Sequence, residues 1–182
     1  MSVLRIYRAD DATVKQTITD FDTIATTLHG AGIRFERWQA NRVLTDEMSN
    51  EDIIAAYRES VDTLMEEYGF QSADVVALTP AHPDKKALRE KFLDEHTHSD
   101  FEVRFFVDGA GLFYIHQGDA VYGVMCSRGD LISVPANTPH WFDMGENPEF
   151  KCIRLFTTPE GWVAQYTGDN IGGRFPTFEQ FQ

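Results

Sequence analysis

From residue 95 onward the chain is written in short, strand-length runs. FEVRFFV at 101–107, GLFYIHQ at 111–117, AVYGVMC at 120–126, DLISVPA at 130–136 and KCIRLFT at 151–157 are rich in aromatic and β-branched residues. Gly, Asp, Asn and Pro punctuate the spaces between them. Many short strands with turn residues between them point to an antiparallel barrel or sandwich.

The first 92 residues read differently. Residues 1–8 suit a short strand, 20–29 a helix ended by Gly30, and IRFERW at 33–38 another strand. The clearest helix is expected from Asn50 to Tyr68, because Ile53, Ile54, Tyr57, Val61, Leu64, Met65 and Tyr68 recur at helical spacing. Ser49 with Asp52 makes a capping box, and Gly69 suits the stop. A shorter helix is expected over Pro83–Phe92. The expected architecture is therefore one domain over 1–182, mainly β with flanking α. A helical N-terminal portion (strands and helices over about 1–92) flanks an antiparallel β-barrel core (about 93–165).

Charge removes one class of partner. Asp plus Glu number 29 against 16 Lys plus Arg, a formal net charge of -13. That field repels a phosphate backbone, and no Lys/Arg run offers a local exception, so no nucleic acid is expected. No stretch of about 18 apolar residues predicts a membrane span. The first residues, MSVLRIYRADDATV, lack the basic and apolar segments of a signal peptide, which makes the cytoplasm the expected location. Cys126 and Cys152 do not form a CxxC pair and are expected to be buried free thiols.

Chemistry concentrates at HTHSDFEVR. His96, His98 and Glu102 share parity, so on a strand their side chains leave the same face. Arg104 shares that parity one pleat further on. His140, at the end of PANTPH, comes from a turn between two strand-like runs and can supply a third imidazole from across the interior. Three histidines and a glutamate suit Fe(II), Ni(II), Mn(II), Co(II) or Zn(II). An octahedral ion bound by four such donors keeps two positions for waters or a chelating substrate. A structural zinc would more often use cysteines and leave nothing open. His29, His82 and His116 lack ligand spacing and read as surface or helix-end residues.

His96, His98, Glu102 and Gly109 fall at the spacing of the first cupin motif, and Gly129, Pro135 and His140 at most of the second. Glu90, Asn137 and Met144 depart from the pattern at turn positions. The likeness is closer to one branch. GIRFERWQA from residue 32, ALREKFLDEHTH, EVRFFVDGAGLF, DLISVPANTPHWFDMG and PEGWVAQYTGD resemble the bacterial acireductone dioxygenases over about residues 32–169. Phe101 stands where those proteins usually carry an acidic residue.

The resemblance implies a double-stranded β-helix (jelly-roll) barrel and one divalent metal, Fe(II) or Ni(II), on His96, His98, Glu102 and His140. It implies a small-molecule enediol, 1,2-dihydroxy-3-keto-5-methylthiopentene, cleaved with O2 in methionine salvage. The iron form would give formate and 4-methylthio-2-oxobutanoate. The nickel form would give 3-methylthiopropionate, formate and CO. Arg104 would bind the substrate and help form or hold its dianion, and Glu95 would aid metal incorporation. Phe92, Phe142 and Trp162 would wall a pocket for the methylthio tail. A monomer is expected. Two other readings use the same ligands: a different cupin dioxygenase or isomerase, and a non-catalytic metal-dependent ligand-binding module.

Overall fold

The computed structural model describes residues 1–182. Eleven strands and five short α-helices alternate along the chain. The strands are β1 (Val3–Arg8), β2 (Val14–Ile18), β3 (Arg34–Arg37), β4 (Ser72–Leu78), β5 (His96–Thr97), β6 (Glu102–Gln117), β7 (Ala120–Ser127), β8 (Asp130–Val134), β9 (His140–Asp143), β10 (Phe150–Phe156) and β11 (Gln165–Tyr166). The helices are α1 (Phe21–Gly30), α2 (Asn50–Ala56), α3 (Arg58–Tyr68), α4 (Lys85–Leu93) and α5 (Phe178–Phe181).

Two antiparallel sheets share one strand. The first half of β6 pairs with β10 and β8, which in turn pair with β4 and β3. Its second half pairs with β7 and β9, and that sheet runs β11-β5-β9-β6-β7-β1-β2. FEVRFFV and GLFYIHQ are thus one 16-residue strand that bends between sheets. The bend is at Gly109, whose φ is +69°, and a Cβ there would lie 1.8 Å from the Glu149 carbonyl oxygen. Only glycine meets both demands. The bend also shifts which parity faces inward. Phe106 belongs to the core between the sheets, whereas Val103, Phe105 and Val107 face α2 and α3. Beyond Gly109 it is Phe113 and Ile115 that face inward, while Leu112 and Tyr114 pack under the C-terminal segment.

Three expectations need correction. The strand pairings do not close into a barrel, because β2, β3, β4 and β11 are left as sheet edges. The first 92 residues are not a helical portion set beside the sheets, since β1, β3 and β4 pair with β7, β8 and β10. Strand β4 eluded the sequence reading because Ser72 and Asp74 interrupt its apolar run, and Asp74 is there to meet Arg154 on β10. The long helix from Asn50 to Tyr68 breaks at Tyr57 (φ −114°, ψ 24°) into α2 and α3. The Tyr57 ring packs edge-on to Phe105 at 5.6 Å, and its hydroxyl accepts from the Arg42 backbone N–H.

The Ser49–Asp52 capping box and the left-handed Gly69 are present as expected. Asn137, where the second motif often has Gly, adopts φ +58°, a conformation Asn tolerates. Cys126 and Cys152 are buried and free. No helix is long and apolar enough to cross a membrane.

Candidate metal centre

Four side chains converge where the two sheets open. His96 lies on β5, Glu102 starts β6 and His140 starts β9. His96 and His140 are paired across β5 and β9, and His140 sits opposite Ile115 of β6. His98 lies on an irregular segment between β5 and β6. Parity therefore foretold the convergence although residues 98–101 are not strand. One ligand atom from each of the four residues lies within 4.8 Å of the others, and all four residues are buried.

The imidazoles are aimed by backbone carbonyls. His96 Nδ1 is 2.7 Å from the Asp94 oxygen, His140 Nδ1 2.8 Å from that of Thr138, and His98 Nδ1 3.2 Å from that of Val163. A carbonyl only accepts, so each Nδ1 carries the proton and each Nε2 keeps its lone pair. His98 Nε2 and His140 Nε2 lie 2.8 and 3.0 Å from Glu102 Oε2. Burial, reinforced by His140, pulls His96 from 6.5 down to about 4. Burial alone would raise Glu102, but the Arg104 guanidinium beside it holds it well below the usual carboxylate range. Neutral imidazoles and an ionised carboxylate are the forms that ligate a cation. The donor set fits a divalent metal.

Arg104 sits directly behind the ligands. It is 2 % exposed, and its Nε donates to Glu102 Oε1. The guanidinium carbon lies 5.0 Å from the Phe113 ring centre and 4.9 Å from that of Phe142, and Nη1 has no partner. A buried, unpaired donor on a permanently charged group is costly. A cavity of about 510 Å³ opens at this point, with His96, His98 and Arg104 on its polar side and Val76, Leu88 and Phe92 among its apolar walls.

The structure brings Phe92 and Trp162 to the cavity wall, Trp162 being 54 % exposed at its edge. Phe142 is not part of the wall: it is fully buried beneath Arg104, because β9 turns its ring into the core. The Glu95 carboxylate is buried and engaged by His116 at 2.9 Å and Thr167 at 2.8 Å. His116 is thus tied down, not a free surface residue.

His82 and Arg154 are among the cavity residues that the sequence did not reveal. His82 precedes α4 and lines the wall. Arg154 stands directly opposite Arg104 across the β6–β10 pair and is held by Asp74 at 2.6 and 2.9 Å. The register of β10 against β6 was the missing signal, and periodicity within one strand does not carry it.

An antiparallel two-sheet fold with three imidazoles and a carboxylate between its sheets, beside a buried arginine, defines a cupin-type metalloprotein. Comparison with known proteins narrows the class. The ARD/ARD' family model matches residues 4–164, and the chain belongs to that family. It is 59% identical over 180 residues to an acireductone dioxygenase of Aquifex aeolicus, covering 99% of this chain and 98% of that protein. It is 55% identical over 181 residues to the enzyme of the same name from Methylococcus capsulatus, covering 100% and 97%. A solved acireductone dioxygenase from Bacillus anthracis, with a cadmium ion in its active centre, superposes with a TM-score of 0.78 at 32% identity, covering 91% of this chain and 98% of that one.

Proposed function

We propose that the chain is a metal-dependent dioxygenase that cleaves the acireductone 1,2-dihydroxy-3-keto-5-methylthiopentene with O2. The observation that carries this reading is the arrangement of Arg104. A buried guanidinium with a free Nη1 stands beside a four-donor cluster at the polar end of a largely apolar cavity. A purely structural metal site has no use for that charge. A substrate anion does.

Each part of the site has a task in that reaction. His96, His98, Glu102 and His140 would hold a divalent cation, which would supply Lewis-acid stabilisation to a substrate anion when bound. Arg104 favours loss of the enediol protons and holds the resulting negative charge. Phe113 and Phe142 flank its guanidinium, which keeps water from competing for it. Val76, Leu88 and Phe92 receive the thioether tail, whose transfer out of water contributes binding without direction. The enediolate is itself electron-rich, so it supplies the electrons that reduce O2, and no external reductant enters the balance.

The metal is Fe(II) or Ni(II) in this reading. With iron, one acireductone and one O2 give formate and 4-methylthio-2-oxobutanoate. With nickel, the same atoms leave as 3-methylthiopropionate, formate and CO. The test is reconstitution of metal-free protein with each ion separately, followed by O2 uptake and product analysis on the acireductone. Uptake with both ions, and CO with nickel only, is expected. Binding of the enediol with no O2 uptake would instead make the chain a ligand-binding module.

A further inference from the structure

The segment that carries His98 is fastened to the segment that walls the cavity, and the fastener is a carboxylate outside the ligand set. Asp100 is 8 % exposed. Its Oδ2 accepts from the backbone N–H of Thr157 at 2.5 Å and of Thr158 at 3.2 Å. Its Oδ1 accepts from the N–H of Phe101 at 2.7 Å. Gly161 lies against the same side chain: a Cβ there would be 2.9 Å from both Asp100 Cβ and Oδ2. The following residues Trp162, Val163 and Ala164 line the cavity. The Val163 carbonyl is the acceptor that orients the His98 ring. Asp100 is neither one of the four ligands nor part of the cavity lining.

We propose that Asp100 is a positioning residue that staples the 157–164 loop onto the His98 segment, so that one loop both walls the substrate cavity and aims a metal ligand. The consequence is linkage. Whatever holds Trp162–Ala164 in place holds the Val163 carbonyl, and with it the tautomer and direction of His98. Metal on His98 and substrate against the wall therefore favour the same loop position, and each raises the affinity of the other. The geometry also explains why residue 161 is glycine: with φ outside the left-handed region, the requirement is room beside Asp100 and not backbone freedom. Exposed Phe101 contributes only its backbone N–H to the staple.

The experiment compares wild type with Asp100→Asn, which keeps the shape and removes the charge and one acceptor. Ni(II) titration of the metal-free proteins is the first readout. The second is amide hydrogen exchange across 157–164, with and without Ni(II). The third is the split of KM against kcat on the acireductone. Expected are a loss of Ni(II) affinity by about tenfold and a KM raised by a similar factor, the usual scale for groups that orient ligands. Ni(II) should slow exchange at 161–164 in wild type and do so far less in the variant. Gly161→Ala, which crowds the loop away from Asp100 while leaving the carboxylate chemically intact, should shift all three readouts the same way, and it carries the test if Asp100→Asn does not fold. A melting temperature that falls while Ni(II) affinity, loop protection and KM stay at wild-type values would make Asp100 a structural residue only and overturn the proposal. The KM readout rests on the dioxygenase reading, whereas the Ni(II) and exchange readouts do not. Loss of Ni(II) affinity in a protein inert toward acireductone would thus sink that reading and leave the staple standing.

Discussion

At the scale of single residues, the site is a set of charges arranged so that none is left without a task once cation and anion arrive. Arg104 is the clearest case. Replacing it with Ala deletes the buried charge that faces the cavity, and on the proposed reading kcat/KM should fall by about 10²–10³, the scale for removing one preorganised donor. Ni(II) affinity should change far less, so kinetics and titration together separate this role from ligation. His96 gives a pH prediction. Its folded value of about 4 lies below 6.5, because burial and His140 disfavour the charged ring. The metal-free protein therefore has its full stability from this group above about pH 6.5 and loses it as pH falls towards 4. Thermal melts of the metal-free chain should drop across that window, and His96→Gln should flatten the drop. The ligands were legible in the sequence because parity and spacing are local properties. Arg154 and Asp100 were not, since their partners come from other segments, and His82 reaches the cavity wall only in the folded chain.

At the scale of elements, β6 organises the molecule. It belongs to both sheets, carries Glu102 and Arg104 in its first half and opposes His140 with its second. Gly109 makes that double membership possible. Gly109→Ala should cost about 1–3 kcal/mol for the left-handed backbone alone, with the collision against the Glu149 carbonyl added. A large fall in melting temperature, with metal loss following from displaced ligands, is the expected outcome of a melt and a titration on the variant. A wild-type melt would mean the bend does not need glycine. The sequence reading saw FEVRFFV and GLFYIHQ as separate strands because Asp108 and Gly109 look like a turn. Their continuity depends on β10 and β8 pairing on one side of the bend and β7 and β9 on the other. The single helix read over Asn50–Tyr68 failed for a related reason. Its periodicity is continuous, but Tyr57 is drawn to Phe105 and to the Arg42 backbone, and those tertiary contacts outweigh propensity. β2 offered no apolar alternation to find, because four of its five residues are exposed.

At the scale of the whole molecule, the core between the sheets and the open end of the sandwich divide the labour. Phe106, Phe113, Phe142 and Phe150 fill the first, and the cavity with its ligands occupies the second. Helices α2 and α3 cover the outer face of one sheet, and the C-terminal Phe175 and Phe181 cover that of the other. The cavity, lined by His96 and His98, gives access to the ligands. The general class, antiparallel β with a three-histidine, one-glutamate centre, was readable from spacing. Strands β1 and β3 were readable as well, but the open sheet edges and strands β2 and β4 were not, because they follow from which distant runs pair. On the proposed function, His96, His98, Glu102 and His140 hold a divalent metal that makes this chain consume O2 with an acireductone. The direct measurement is O2 uptake by protein reconstituted with Fe(II) or Ni(II), beside His140→Ala treated identically. Stoichiometric metal and rapid uptake in the wild type, with both lost in the variant, are predicted. Equal uptake by the metal-free protein or by His140→Ala would contradict that assignment.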